Sequence, residues 1–186
     1  VIDPTRAEHV ALERTIALAS HSQEKPCVKV FVGVDGEAVD TRAINDSLFR
    51  DQGWFGSAIR GPLEAAQLDY TIEVSWSSEW QRSILMSSKQ FGADRIYLPV
   101  HERSSNIRFS FSEAKWDLLK TADCPVVLIQ PNAPERRSVI LAAVNFQASK
   151  DEHKALNKSI LQNGREFADI YGADFHVVNA YKDSMN

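Results

Sequence analysis

At 186 residues, 44% of them apolar and 25% charged, the chain has ordinary globular composition, long for one small domain and short for two. Its formal net charge of -4 implies no basic face, which argues against non-specific nucleic-acid binding. It has no apolar run long enough to span a membrane and no signal peptide at its start, and Cys27 and Cys124 are too few and too far apart for a disulfide framework, so a reducing cytoplasm is expected.

In chain order, Val1-Ile2 reads as the end of a buried strand and Asp3-Pro4 as a turn. Thr5-x-x-Glu8 is a capping-box pattern, predicting a helix to about Ser20 with Leu12, Ile16 and Ala19 on one face. Val28–Val34 is a near-continuously apolar strand broken only by Lys29. A polar loop covers residues 36–46. A helical region to about Gln67 is interrupted by Gly53, Gly56 and Gly61-Pro62, so a bend or two helices are expected. Tyr70, Ile72, Val74 and Trp76 alternate as a strand with one wetter face. A helix begins around Ser77–Trp80 and runs to Phe91, with Ile84, Leu85 and Phe91 inward and Gly92 as its C-cap.

Next come a short strand, Ile96–Val100, and a polar loop from His101 to Arg108. Ser110-x-x-Glu113 is a capping box for a helix to Thr121, and Val126–Ile129 is a further strand. This βαβ unit places residues 101–110 at the C-terminal end of a strand, where open α/β sheets hold ligands. There Arg103, Ser104, Ser105, Asn106 and Arg108 supply guanidiniums and hydroxyls that suit a phosphate or carboxylate, and the competing reading is a solvated capping loop. His101 stands where a general base could work, but it has no paired nucleophile, and Glu102 would diverge from it in an extended segment. No metal-ligand spacing occurs among the five histidines and two cysteines. The cysteines read as buried spectators before strands, and Trp54, Trp76, Trp80 and Trp116 as core and domain-interface residues.

Residues 131–137, with two prolines and three charges, read as a linker within 131–138. Beyond it the chain starts again. Val139–Val144 is a strand, and Ser149-x-x-Glu152 opens a helix carrying Leu156, Ile160, Leu161, Phe167 and Ile170 to Gly172. A strand follows at Phe175–Val178. Thr5, Glu8, His9, Leu12 and Ile16 recur at one offset as Ser149, Glu152, His153, Leu156 and Ile160, and Asp3 is matched by Asn145. The reading is one nearly complete α/β domain at 1–130 and the N-terminal part of a second at 139–186, which either continues in a longer protein or packs against the first domain or another chain.

Val1-Ile-Asp-Pro4, Gly92-Ala-Asp-x-Ile-x-x-Pro-Val100, the Ser112-x-x-x-Trp116-x-Leu118-Leu119 helix and Cys124-Pro-Val-Val-Leu128 resemble the universal stress protein family. The linker and the restart at Val139 are similar to its tandem-domain type. The resemblance implies an open five-stranded parallel sheet, flavodoxin-like (adenine nucleotide alpha hydrolase-like), of order 3-2-1-4-5, with a partial second repeat. It also implies a cytoplasmic stress-response role and self-association through the last strand or the partial second domain. Some members bind ATP through Gly-x2-Gly-x9-Gly-Ser/Thr after the fourth strand, where glycines let backbone N–H groups approach phosphate. The equivalent stretch here, His101–Ser112, has no glycine, which argues against ATP in the first domain and says nothing of the second. Asp3 matches the family's aspartate near the nucleotide. The expected function is therefore a non-enzymatic regulatory or binding role, with a small anionic ligand as candidate partner. The cleft would be lined by Asp3, His101, Arg103, Ser104, Ser105 and Arg108, with no resident cofactor. The alternative is a nucleotide-binding hydrolase or transferase on the same fold.

Overall fold

The structure, a computed structural model, describes residues 1–22, 24–35, 52–100, 113–134 and 136–179. They fall into two compact units, Val1–Ala133 and Pro134–Asn186. Their described strands form three two-stranded parallel sheets rather than one continuous ladder.

In the first unit, β1 (Val28–Asp35) pairs with β2 (Tyr70–Ser77), and β3 (Ile96–Pro99) pairs with β4 (Val126–Ile129). Val1 and Ile2 link the pairs. Ile2 forms an isolated parallel bridge with Val32, its N–H donating to Phe31 O at 2.8 Å and its carbonyl accepting from Gly33 N–H at 3.0 Å. The Val1 amino group donates to Tyr97 O at 2.8 Å.

Because side chains alternate across a strand, β1 supplies two cores at once. Val28, Val30 and Val32 meet Ile2, Leu12, Ala19, Ile59 and Leu63 on one face. Phe31 meets Ile84, Ile96, Leu98 and Leu118 on the other. The first core belongs to α1 (Val10–His21) and the bent segment after it, the second to α4 (Trp80–Phe91) and α5 (Glu113–Thr121). Ile59, Leu63 and Leu118 are fully buried, each contributing roughly 1.5–3 kcal/mol of apolar burial.

The expected bend is built from α2 (Gln52–Trp54), a π-helical turn at Phe55–Arg60, and α3 (Gly61–Ala65). Gly61 donates its N–H to Gly56 O, five residues back, and a Cβ on Gly61 would stand 3.1 Å from that oxygen. Pro62, which has no N–H to donate, follows at once, so the ladder changes pitch there.

Several expectations are corrected. The capping boxes read at Thr5-x-x-Glu8 and at Ser149-x-x-Glu152 do not form. α1 starts at Val10 behind His9, and no side chain caps it; Thr5 lies upstream of that start, where its N–H and its hydroxyl both donate to Asp3. The helix of the second unit, α6 (Asp151–Tyr171), starts behind Lys150, again without a side-chain cap. Cys27 is exposed rather than buried. Trp76 and Trp116 are exposed, whereas Trp54 and Trp80 pack against the two cores. The polar face of β2 is not the wet one. Val74 is 56% exposed, while Glu73 lies half-buried under α4. There Glu73 accepts from Lys29 at 2.6 Å and from the buried Ser87 hydroxyl at 2.7 Å, and the Lys29 ammonium stands 5.7 Å from the Phe91 ring centroid. This resolves the lysine in an otherwise apolar strand. Gly92 and Gly172 end their helices in left-handed backbone, as expected of C-cap glycines. The capping pattern at Ser110 and the loop at residues 36–46 lie outside the described residues.

In the second unit β5 (Val139–Val144) and β6 (Asp174–Asn179) pair in parallel, with α6 against one face. Gly164 lets α6 approach closely, since a Cβ there would lie 2.7 Å from the Phe175 ring. Ala142 and Val144 are buried on that face, and Leu141 is exposed on the other.

One pH-dependent outcome follows. The Lys29 hydrogen bond, aided by Ser87, holds the Glu73 carboxyl below its ordinary value. Its stabilisation is present above the unfolded carboxylate range and is lost as pH falls through the lower native value. Glu73→Gln should cost about 1 kcal/mol at pH 7 in urea unfolding, and the difference from wild type should shrink towards pH 3.

Candidate functional site

Asp3 follows the Ile2 bridge directly, at the C-terminal end of the strand stub and beside the end of β1. Pro4 behind it is fully buried and sets the direction in which the chain leaves. One carboxylate oxygen of Asp3 accepts from the Thr5 N–H at 2.9 Å and from the Thr5 hydroxyl at 2.6 Å. The other faces Arg6 Nε at 3.6 Å, an exposed pair of small energetic weight. The carboxylate therefore closes an Asx turn and keeps one edge towards solvent. His9, at the start of α1, meets the Trp54 ring edge-on with centroids 5.4 Å apart, and Trp54 meets Phe55 likewise at 5.0 Å.

Of the residues expected to line the cleft, Asp3 is described. His101, Arg103, Ser104, Ser105 and Arg108 lie outside the described residues, as does Asn106.

The second unit builds the same turn without charge. Asn145 Oδ1 accepts from Gln147 N–H at 3.0 Å, the same two-residue step as Asp3 to Thr5. Two further amides pin this loop. Asn157 accepts from Asn145 N–H at 3.1 Å and donates to Asn145 O at 2.7 Å, and Asn179 accepts from Phe146 N–H at 3.0 Å. Sequence reading did not single out Asn157 or Asn179. The available signals were an amide on the inner side of an amphipathic helix and an amide ending an apolar strand.

Cys124 is half-buried against the second core. Desolvation first, then Asp123 and Asp94, push its thiol above the ordinary value, which disfavours the nucleophilic thiolate. Among the described residues no group of three or more His, Cys, Asp or Glu side chains could hold a metal ion. Among them, too, no helix is long and apolar enough to cross a membrane.

The shared turn makes a direct test. Asp3→Ala should cost about 1 kcal/mol, as for loss of a helix cap, because Thr5 N–H loses its acceptor. Asp3→Asn should cost clearly less, since Asn145 performs that role in the second unit. Denaturant midpoints of the two variants against wild type measure the difference.

No family model matches the sequence. The chain is 23% identical to Universal stress protein E of Photorhabdus laumondii subsp. laumondii, over 97% of this chain and 60% of that protein. It superposes with a TM-score of 0.76 on a protein of Pseudomonas aeruginosa UCBPP-PA14 provisionally described as a universal stress protein, at 22% identity over 97% of this chain and 59% of the other. A functionally unknown protein of Pseudomonas aeruginosa PAO1 gives a TM-score of 0.73 at 21% identity, over 95% and 57% of the two chains. The chain therefore spans about three fifths of the length of these relatives. The structural likenesses establish the α/β fold. The sequence is also similar, across nearly the whole chain, to that of a universal stress protein.

Proposed function

We propose that this chain acts as a cytoplasmic, non-enzymatic stress-response protein whose first unit binds a small anionic ligand at the ends of its strands. The observation that carries the reading is the placement of Asp3. Its turn follows a strand stub that bonds to β1 on one side and to Tyr97 in β3 on the other, which supports the family's 3-2-1-4-5 order and its strand-end cleft. On this reading Asp3 shapes one wall, and Arg103 and Arg108, with His101, Ser104 and Ser105, supply the anion-binding side. The glycine-free stretch His101–Ser112 speaks against an ATP phosphate loop in this unit. The mechanism is differential binding: a ligand that orders the loop changes the surface offered to a partner. Self-association would use the strand edge of β4, whose one paired neighbour among the described strands is β3.

The test is equilibrium binding to the whole chain. Radiolabelled ATP should show no saturable binding up to about 1 mM, the millimolar range corresponding to roughly -4 kcal/mol. Inorganic phosphate should raise the unfolding temperature, and Arg103→Ala should abolish that rise. Saturable ATP binding in the low-micromolar range would overturn the reading in favour of a nucleotide enzyme or sensor. A phosphate effect unchanged by Arg103→Ala would remove the proposed site.

A further inference from the structure

On the side of β1 and β2 that faces α4, polar contacts close a triangle across three elements. Lys29 of β1 holds Glu73 of β2 at 2.6 Å. Glu73 accepts from the Ser87 hydroxyl of α4 at 2.7 Å, and Ser87 is only 4% exposed. The Lys29 ammonium returns to α4 over the Phe91 ring, 5.7 Å from its centroid. On the opposite side of the same strands the packed rows are aliphatic or aromatic, with Val28, Val30 and Val32 beside Tyr70 and Ile72. A slip of two residues, about 6.6 Å along the strands, keeps every side chain on its own face and leaves those rows matched. The connection from β1 to β2 is a long crossover, as a parallel pair requires, so no tight turn fixes the register either.

We infer that Lys29, Glu73 and Ser87 set the register of β1 against β2 and the depth at which α4 sits on them. This goes beyond the ligand reading and does not rest on it. If β2 slid by two residues alone, Glu73 would leave Ser87, and a buried hydroxyl would lose its partner. If β2 and α4 slid together, Ile84 would leave Phe31, and Phe91 would leave Lys29. Each slip breaks a packed contact, whereas an apolar cluster in the same place would tolerate both. A buried ion pair adds little stability over well-packed apolar residues but is costly to break, which suits it to choosing between registers. The register it selects ends the pair at Asp35 beside Ser77, and Ser77 Oγ accepts the Glu79 N–H at 3.0 Å where α4 begins. The three side chains are therefore positioning residues for these strand ends and for the start of α4.

NMR on the whole chain tests this. In the wild type, NOEs should place Val30 beside Ile72 and Val32 beside Val74, with one amide peak for each residue. A triple variant, Lys29→Met with Glu73→Leu and Ser87→Ala, fills the same space without charge or orphaned polar groups. Its urea midpoint should be no lower than that of the wild type. Yet Ile72 and Val74 should each show a second amide peak, at roughly a tenth of the main intensity or more, from molecules in the slipped register. A folded triple variant with one peak per residue and the wild-type NOEs would overturn the inference, as would wild-type NOEs in another register. Should the triple variant fail to fold, Ser87→Ala alone settles the question, because it keeps the ion pair but frees Glu73 from α4. A second set of β2 peaks in that variant supports the inference, and a single set overturns it.

Discussion

The first unit depends on two residues at its start. Ile2 exchanges backbone hydrogen bonds with Phe31 and Gly33 on one side, and the Val1 nitrogen bonds to Tyr97 on the other. These contacts join the β1–β2 pair to the β3–β4 pair. Ile2 is also buried, at 3% exposure, in the core shared by α1 and the bent segment. An unpaired backbone group in such a place costs about as much as a lost hydrogen bond, so the stub is held by backbone and side chain together. Asp3 inherits its position from this arrangement. It is the first residue past the last ladder bond, where the backbone leaves the sheet and its side chain becomes available for a turn.

The two units solve the same local problem with different chemistry. Each must turn sharply from a strand into a connection towards a helix, and each uses a side-chain oxygen that accepts an N–H two residues on. The first uses a carboxylate, which adds charge at the strand end. The second uses an amide, and Asn157 and Asn179 then satisfy the neighbouring backbone groups. Geometry is shared and charge is not.

Polar groups elsewhere follow the rule that burial requires partners. Lys29, Glu73 and Ser87 come from two strands and a helix and meet beneath α4. Each is accommodated because the other two are present. Arg14 is buried with a backbone carbonyl as acceptor. Neither cluster is visible as a motif, because its members come from different elements and match no fixed spacing.

The sequence by itself determined most of the element order, because period-two and period-3.6 patterns are local. It located β1 to β6, the C-cap at Gly92, the end of α6 near Gly172, and the break at Gly61-Pro62. It also revealed the internal repeat that pairs Asp3 with Asn145. Helix starts were less legible. The Thr5-x-x-Glu8 pattern satisfies the capping rule on paper, but Asp3 accepts at 2.9 Å the Thr5 N–H that Glu8 would take, and the helix starts at Val10. Exposure was also undecidable from pattern, since Val74 and Trp76 continue the apolar row of Tyr70 and Ile72 past the cover of the core. Only the tertiary structure decided which polar residues meet: Lys29 with Glu73 and Ser87, Arg14 with Ala133, Asn157 with Asn145. The physical reason is that such contacts are set by which helix crosses which strand, and a local repeat in sequence carries no information about that.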